Sequence, residues 1–141
     1  MLNAEVDPEE TVCRFLMQRS WFNHDTGHIS PQAFKPRTPT PPSTAFKTSV
    51  YRINGCTEGE IFSISEEQVN KKRTDGRKVL ARAEILAKVV LAEKLIIDPA
   101  PNPHPRHADI IGWPDEPDKR LDKANQLAIQ ASLKQHESIA S

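Results

Sequence analysis

The chain has 141 residues, 37% of them hydrophobic, with 12 prolines and equal counts of 19 basic and 19 acidic side chains. That length suits one domain with a single core, and the low apolar share with abundant proline assigns part of the chain to loops or tails. Zero formal charge removes any whole-molecule attraction to nucleic acid or anionic membrane and leaves only local patches.

The acidic stretch 1–10 is expected to be a flexible lead-in. In the run TVCRFLMQRSW at 11–21, Val12, Phe15 and Leu16 follow helical spacing, with a buried edge strand as the alternative. The segment 22–47 reads as a long loop. Its turn formers are Asn23, Asp25, Gly27, Ser30 and Pro31, and the prolines at 36–43 make an exposed connection. Phe46, Val50 and Ile53 then mark a strand, Asn54-Gly55 a tight turn, and Ile61, Phe62 and Ile64 a second strand of a hairpin. Ser65 and Gln68 form a capping box for a short helix that runs to about Lys72 and stops at Thr74-Asp75-Gly76.

Between 77 and 94 two periods compete. Val79, Ala81, Ala83 and Ile85 alternate like a strand, whereas Ala83, Leu86, Ala87 and Val90 keep helical spacing, which predicts a helix over 83–94 after a short extended segment. Strands are expected at 95–98 and 108–113. Asp115 is the expected N-cap of a final helix with Pro117 in its first turn and Leu121, Ala124, Leu127, Ala128 and Ala131 on its apolar face. The fold class is therefore α+β, a small mainly antiparallel sheet with helices packed on one face. The core domain is 11–134 and the flexible tail 135–141.

The pieces ISPQAF (29–34), SVYR (49–52) and HADIIGWP (107–114) resemble a loose set of small uncharacterised bacterial proteins with an AF-containing loop, an SV-type strand and a late HA-hydrophobic segment. The resemblance implies one compact domain, a bacterial or phage origin and a place in a defence or toxin-linked operon. It implies no activity or catalytic residue.

The densest chemistry lies in LIIDPAPNPHPRHADIIGWP at 95–114. His104 and His107 can exchange protons or bind a metal, and Asp109 can orient an imidazole. Were this loop adjacent to the earlier one, which carries His24, Asp25 and His28, four histidines and two aspartates could enclose zinc or another transition metal. Arg52 and Arg82 lie in apolar runs, where a guanidinium requires a carboxylate, Glu84 or Asp109 for instance, or a bound anion. Lys71, Lys72, Arg73, Arg77 and Lys78 form a basic patch able to touch phosphates, without interleaved aromatics for bases. Trp113 is a candidate partner contact.

Three function classes follow. The leading one is a small soluble accessory or interaction protein that binds another protein or a second copy of itself. The second is a hydrolase or transferase for a phosphate-bearing or nucleotide substrate, with His107 as acid/base, His104 assisting, Asp109 orienting, and Arg52 or Arg82 holding the anion. The third is a nucleic-acid binder using the 71–78 patch. No cofactor is implied. Cys13 and Cys56 belong to no CxxC pair, so free thiols in the cytoplasm are expected, and five charges inside the apolar stretch 79–97 exclude a membrane span there.

Overall fold

The structure is a computed structural model that describes residues 2–76, 78–102 and 104–135. In chain order it forms β1 (Thr11–Leu16), β2 (Phe22–Asn23), β3 (His28–Ile29), β4 (Thr48–Arg52), α1 (Glu58–Gln68) and β5 (Ala81–Leu86). There follow α2 (Ala87–Ala92), β6 (Ile96–Pro99), β7 (His107–Ile111), α3 (Pro117–Gln130) and β8 (Ser132–Gln135). One six-stranded antiparallel sheet, ordered β6-β7-β4-β1-β5-β8, carries the fold, and β2 and β3 make a separate two-stranded ribbon. The α+β class expected from the sequence is the one observed. No helix is long and apolar enough to cross a membrane among the described residues.

Strand alternation sends side chains to two differently covered faces. Val12, Leu16, Val50, Ala83, Ala108 and Ile110 join Val90 of α2 and Leu127 of α3 in the larger apolar cluster. Cys13, Phe15 and Tyr51 point the other way and meet Ile61 and Ile64 of α1. The expectation of helices on one face therefore holds for α2 and α3, while α1 covers the opposite one.

Several boundaries differ from those expected, each for a physical reason. The 11–16 run is a central strand and not a helix. It is flanked by β4 and β5 and buried on both sides, so its apolar residues are nearly continuous and carry no period of their own. The Asn54-Gly55 turn is present, with Cys56 N–H bonded to Ile53 O and Gly55 at φ +78, but a helix follows it instead of a strand. The Thr57 hydroxyl accepts from Glu60 N–H while Glu60 reaches back to Thr57 N–H, a capping box eight residues before the one expected. Alternation also wins through Ile85, so the helix expected over 83–94 shortens to α2. The N-cap of α3 is Glu116, with Pro117 at its first position. Within the proline-rich loop Pro36 is buried and Arg37 bridges Lys47, which leaves 40–45 as the exposed tip. Gln135 ends β8, paired to β5 opposite Ala81, and the rest of the expected tail lies outside the described residues.

The neighbouring isoleucines of β6 and β7 separate burial from strand propensity. Ile110 is 0% exposed and Ile96 is 55% exposed. Ile110→Ala should cost about 2 to 5 kcal/mol in urea unfolding, and Ile96→Ala well under about 1 kcal/mol. Equal losses would show that the cluster does not carry the stability assigned to it.

Candidate functional site

The β4–β7 pairing sets Tyr51 opposite His107 and Ser49 opposite Asp109. His107 Nδ1 lies 3.0 Å from the Ala100 carbonyl, which only accepts, so this nitrogen carries the proton. In the neutral ring Nε2 is then the acceptor for the Ser49 hydroxyl at 2.7 Å. Asp109 Oδ1 stands 3.7 Å from the same Nε2, and the Tyr51 ring meets the imidazole edge-on at 5.3 Å. Burial pushes the Tyr51 phenol up, so it stays a neutral apolar wall. Both imidazole nitrogens are thus occupied within the protein. The ring ties β4, β7 and the connection after β6 into one unit, and Ser49 is a participant the sequence reading missed.

His104 is close by but does different work. Its Nδ1 accepts from the Arg106 backbone N–H at 3.0 Å, which leaves Nε2 as the proton-bearing nitrogen of the neutral ring. Burial lowers its pKa below the ordinary 6.5, with the charge of Arg106 adding to that. Arg106 Nη1 donates to the carbonyls of Arg52 and Asn54, at 3.0 and 3.4 Å. His104 and Arg106 line a cavity of about 440 Å³, walled by Leu2, Pro99, Pro101 and Pro105 and touched by Arg52. Arg106 stood in plain view in the 95–114 loop. Its importance shows only once Arg52 and Arg82 are seen to be paired with carboxylates.

Arg52 and Arg82 answer the question their burial raised. Arg52 Nε and Nη2 grip Glu10 at 2.9 and 2.8 Å, and Nη1 and Nη2 also donate to the Asn3 and Glu5 carbonyls. Arg82 pairs with Glu58 at 2.7 Å and Glu84 at 2.8 Å. Glu84 is thus one of the partners expected, whereas Asp109 serves neither arginine. Arg52 alternates with Val50 on the larger cluster's face, and Arg82 lies opposite Phe15 on the other, so the two guanidiniums share no cleft.

The remaining candidates also separate. His24 and His28 are exposed on the β2–β3 ribbon, with His24 3.1 Å from Asp25. Among the described residues no three His, Cys, Asp or Glu side chains stand close enough to hold a metal, so the four histidines do not form the joint site weighed above. Trp113 is buried in the core with its indole N–H on Ile110 O at 2.9 Å, which removes it as a partner contact. In the basic patch Lys72 bonds Gln68 and Arg73 holds Asp75 bidentately, while Arg77 lies outside the described residues and Lys71 is exposed. Cys13 and Cys56 are free, and burial pushes both thiols up, which makes them poor nucleophiles.

The chain matches no family model, no curated protein and no solved structure.

Burial raises the Glu10 carboxyl, but hydrogen bonds from Arg52 and the Asp7 amide, with the charge of Arg52, bring it below its ordinary 4.5. A depressed folded pKa means that the pair's stabilisation is complete above about pH 4.5 and is lost as pH falls through the folded value. Melts across pH 3 to 6 should show this acid limb flattened in Glu10→Gln, and Glu10→Ala, which strands Arg52, should cost about 3 to 5 kcal/mol. His107→Ala removes two hydrogen bonds and should lower stability by about 1 to 3 kcal/mol. An unchanged melting temperature in that variant would show that the imidazole is not a strut.

Proposed function

We propose that this protein is a protein-interaction module that docks an extended, apolar, lysine- or arginine-flanked segment of a partner in the groove between α2, β6 and the lead-in. One observation carries the reading: Ile96 and Leu91 are 55% and 42% exposed at the mouth of a cavity of about 270 Å³ floored by Val6, Ala87 and Ile97. Large aliphatic side chains held out beside a groove are what an interaction surface needs, and solvent exposure at these positions has no structural benefit.

The partner's chemistry comes from the rim and the edge. Glu5 and Asp98 line the groove, and among the described residues neither has an ion-pair partner. Asp98 also sits directly across from Asp109, on the face of the sheet that carries His107 and Tyr51. β6 is an edge strand. Ala100 N–H donates to His107 O, so by antiparallel alternation Ile97 turns its N–H and C=O outward, free to pair with an added strand. Pro99, with no N–H to offer, stops that pairing after a short reach and blunts the edge against open-ended self-association.

The free, unreactive thiols favour a reducing cytoplasmic setting, and an accessory role there needs no catalysis. Arg52 and Arg82 are paired to carboxylates on opposite faces of the sheet, and His107 has both ring nitrogens bonded within the protein, which supports this reading over the hydrolase or transferase one.

The test is an NMR titration of the labelled protein with the blocked peptide Lys-Val-Ile-Val-Lys and its counterpart Glu-Val-Ile-Val-Glu. The lysine peptide should shift the amides of Leu91 and 96–98 saturably, with Kd on the order of 100 µM, and bind at least about tenfold tighter than the glutamate peptide. Ile96→Asp should abolish the shifts while leaving the melt within about 1 kcal/mol. No saturable shift, equal binding of the two peptides, or a dimer in sedimentation that occupies the groove would each overturn the proposal.

A further inference from the structure

The cavity beside β6 and β7 is lined by a cation, Arg106, that meets no carboxylate among the described residues. Arg106 is half-buried, and its Nη1 is fixed by the Arg52 and Asn54 carbonyls, which sets the plane of the guanidinium. Among the described residues no carboxylate lies in ion-pair contact with it. Two carboxyl groups that feel its charge are committed elsewhere: Glu10 to Arg52 and the Asp7 amide, Glu60 to the helix cap at Thr57. The second polar wall, His104, offers a proton on Nε2 because its Nδ1 is engaged by the Arg106 amide. All other named walls are proline, alanine and leucine, with Asn3 and Arg52 completing the lining.

From this arrangement we infer that the Arg106–His104 cavity is a binding site for a small organic carboxylate with an aliphatic body. A planar guanidinium with one side pinned presents its remaining N–H groups as a fork that matches the two oxygens of a carboxylate. Charge selects the ligand further. Arg52 is neutralised by Glu10 and His104 is neutral, so the cavity offers one uncompensated positive charge, which matches a monoanion and would leave a phosphate dianion with charge to spare. A volume of about 440 Å³ falls in the range of small-molecule sites, and the proline rings give the aliphatic body rigid apolar surface that loses no conformational freedom on binding. The site stands apart from the groove of the interaction reading, with Pro99 as the shared wall, and does not rest on that reading.

The experiment is an amide NMR titration of the full chain at constant ionic strength with three probes: isovalerate, isovaleramide and inorganic phosphate. Isovalerate should give saturable shifts at His104, Arg106 and His107 with Kd on the order of 1 mM, and isovaleramide should bind at least about tenfold more weakly. Phosphate should also be at least about tenfold weaker. Arg106→Lys keeps the charge but loses the fork, and should weaken isovalerate about tenfold while the spectrum stays that of the folded protein. Equal shifts from acid and amide, tighter binding of phosphate, or no saturable shift from isovalerate would overturn the assignment. The wild-type comparison of acid with amide decides the matter even where Arg106→Lys fails to fold.

Discussion

A buried guanidinium in the middle of the sheet organises much of this molecule. Arg52 ends β4, an interior strand, and its side chain is nearly inaccessible to water, so an unpaired charge there would be strongly destabilising. The lead-in is drawn across the sheet to meet it, supplying Glu10 as the counter-ion and the Asn3 and Glu5 carbonyls for the remaining hydrogens. Pro8 O and Glu10 O in turn accept from Lys88 and Ala87 N–H at the start of α2, where short helices leave donors unsatisfied. Val6 packs on the core beside them. A segment whose composition suggests fraying is thus anchored at several points by one interior cation.

That anchoring creates the surfaces with functional interest. Glu5 and Val6 form one wall of the apolar groove, and Leu2, Asn3 and Ala4 form one wall of the Arg106–His104 cavity. Neither depression would exist if the lead-in hung free. Pro99, Pro101, His104, Pro105 and Arg106 form the opposite side of the cavity, held by His107, which bonds Ala100 O, and by His104, which bonds the Arg106 amide. The imidazoles act here as fixed hydrogen-bonding frames, and the chemistry on offer is recognition by preset donors and apolar walls.

Four arginines hold the fold together, whereas Arg106 faces the cavity. Arg82 ties α1 to β5 through Glu58 and Glu84, Arg52 ties the lead-in to β4, and Arg120 stacks over Phe46 at 4.0 Å. Arg14 is satisfied by the Ala33 and Ser49 carbonyls, and burial pushes its pKa down to about 10. Arg106 differs in having carbonyl contacts on one edge of its fork only.

Local rules in the sequence sufficed for the α+β class, the β4, β6 and β7 strands, the Asn54-Gly55 turn and the final helix, because alternation, turn chemistry and a helical apolar stripe are properties of neighbouring residues. They failed at β1, where burial on both faces erases periodicity, and at α1, where Ile61, Phe62 and Ile64 look like a strand unless the Thr57–Glu60 capping box is weighed first. The segment carrying His104, Arg106, His107 and Asp109 was legible as the densest chemistry in the chain. Which of these groups are free was not, since that depends on partners 42 residues away for Arg52 and 58 for Ser49 and His107. Charge pairing over such separations is set by strand order and register, and tertiary structure alone decided that Arg52 and Arg82 meet carboxylates while, among the described residues, Arg106 does not.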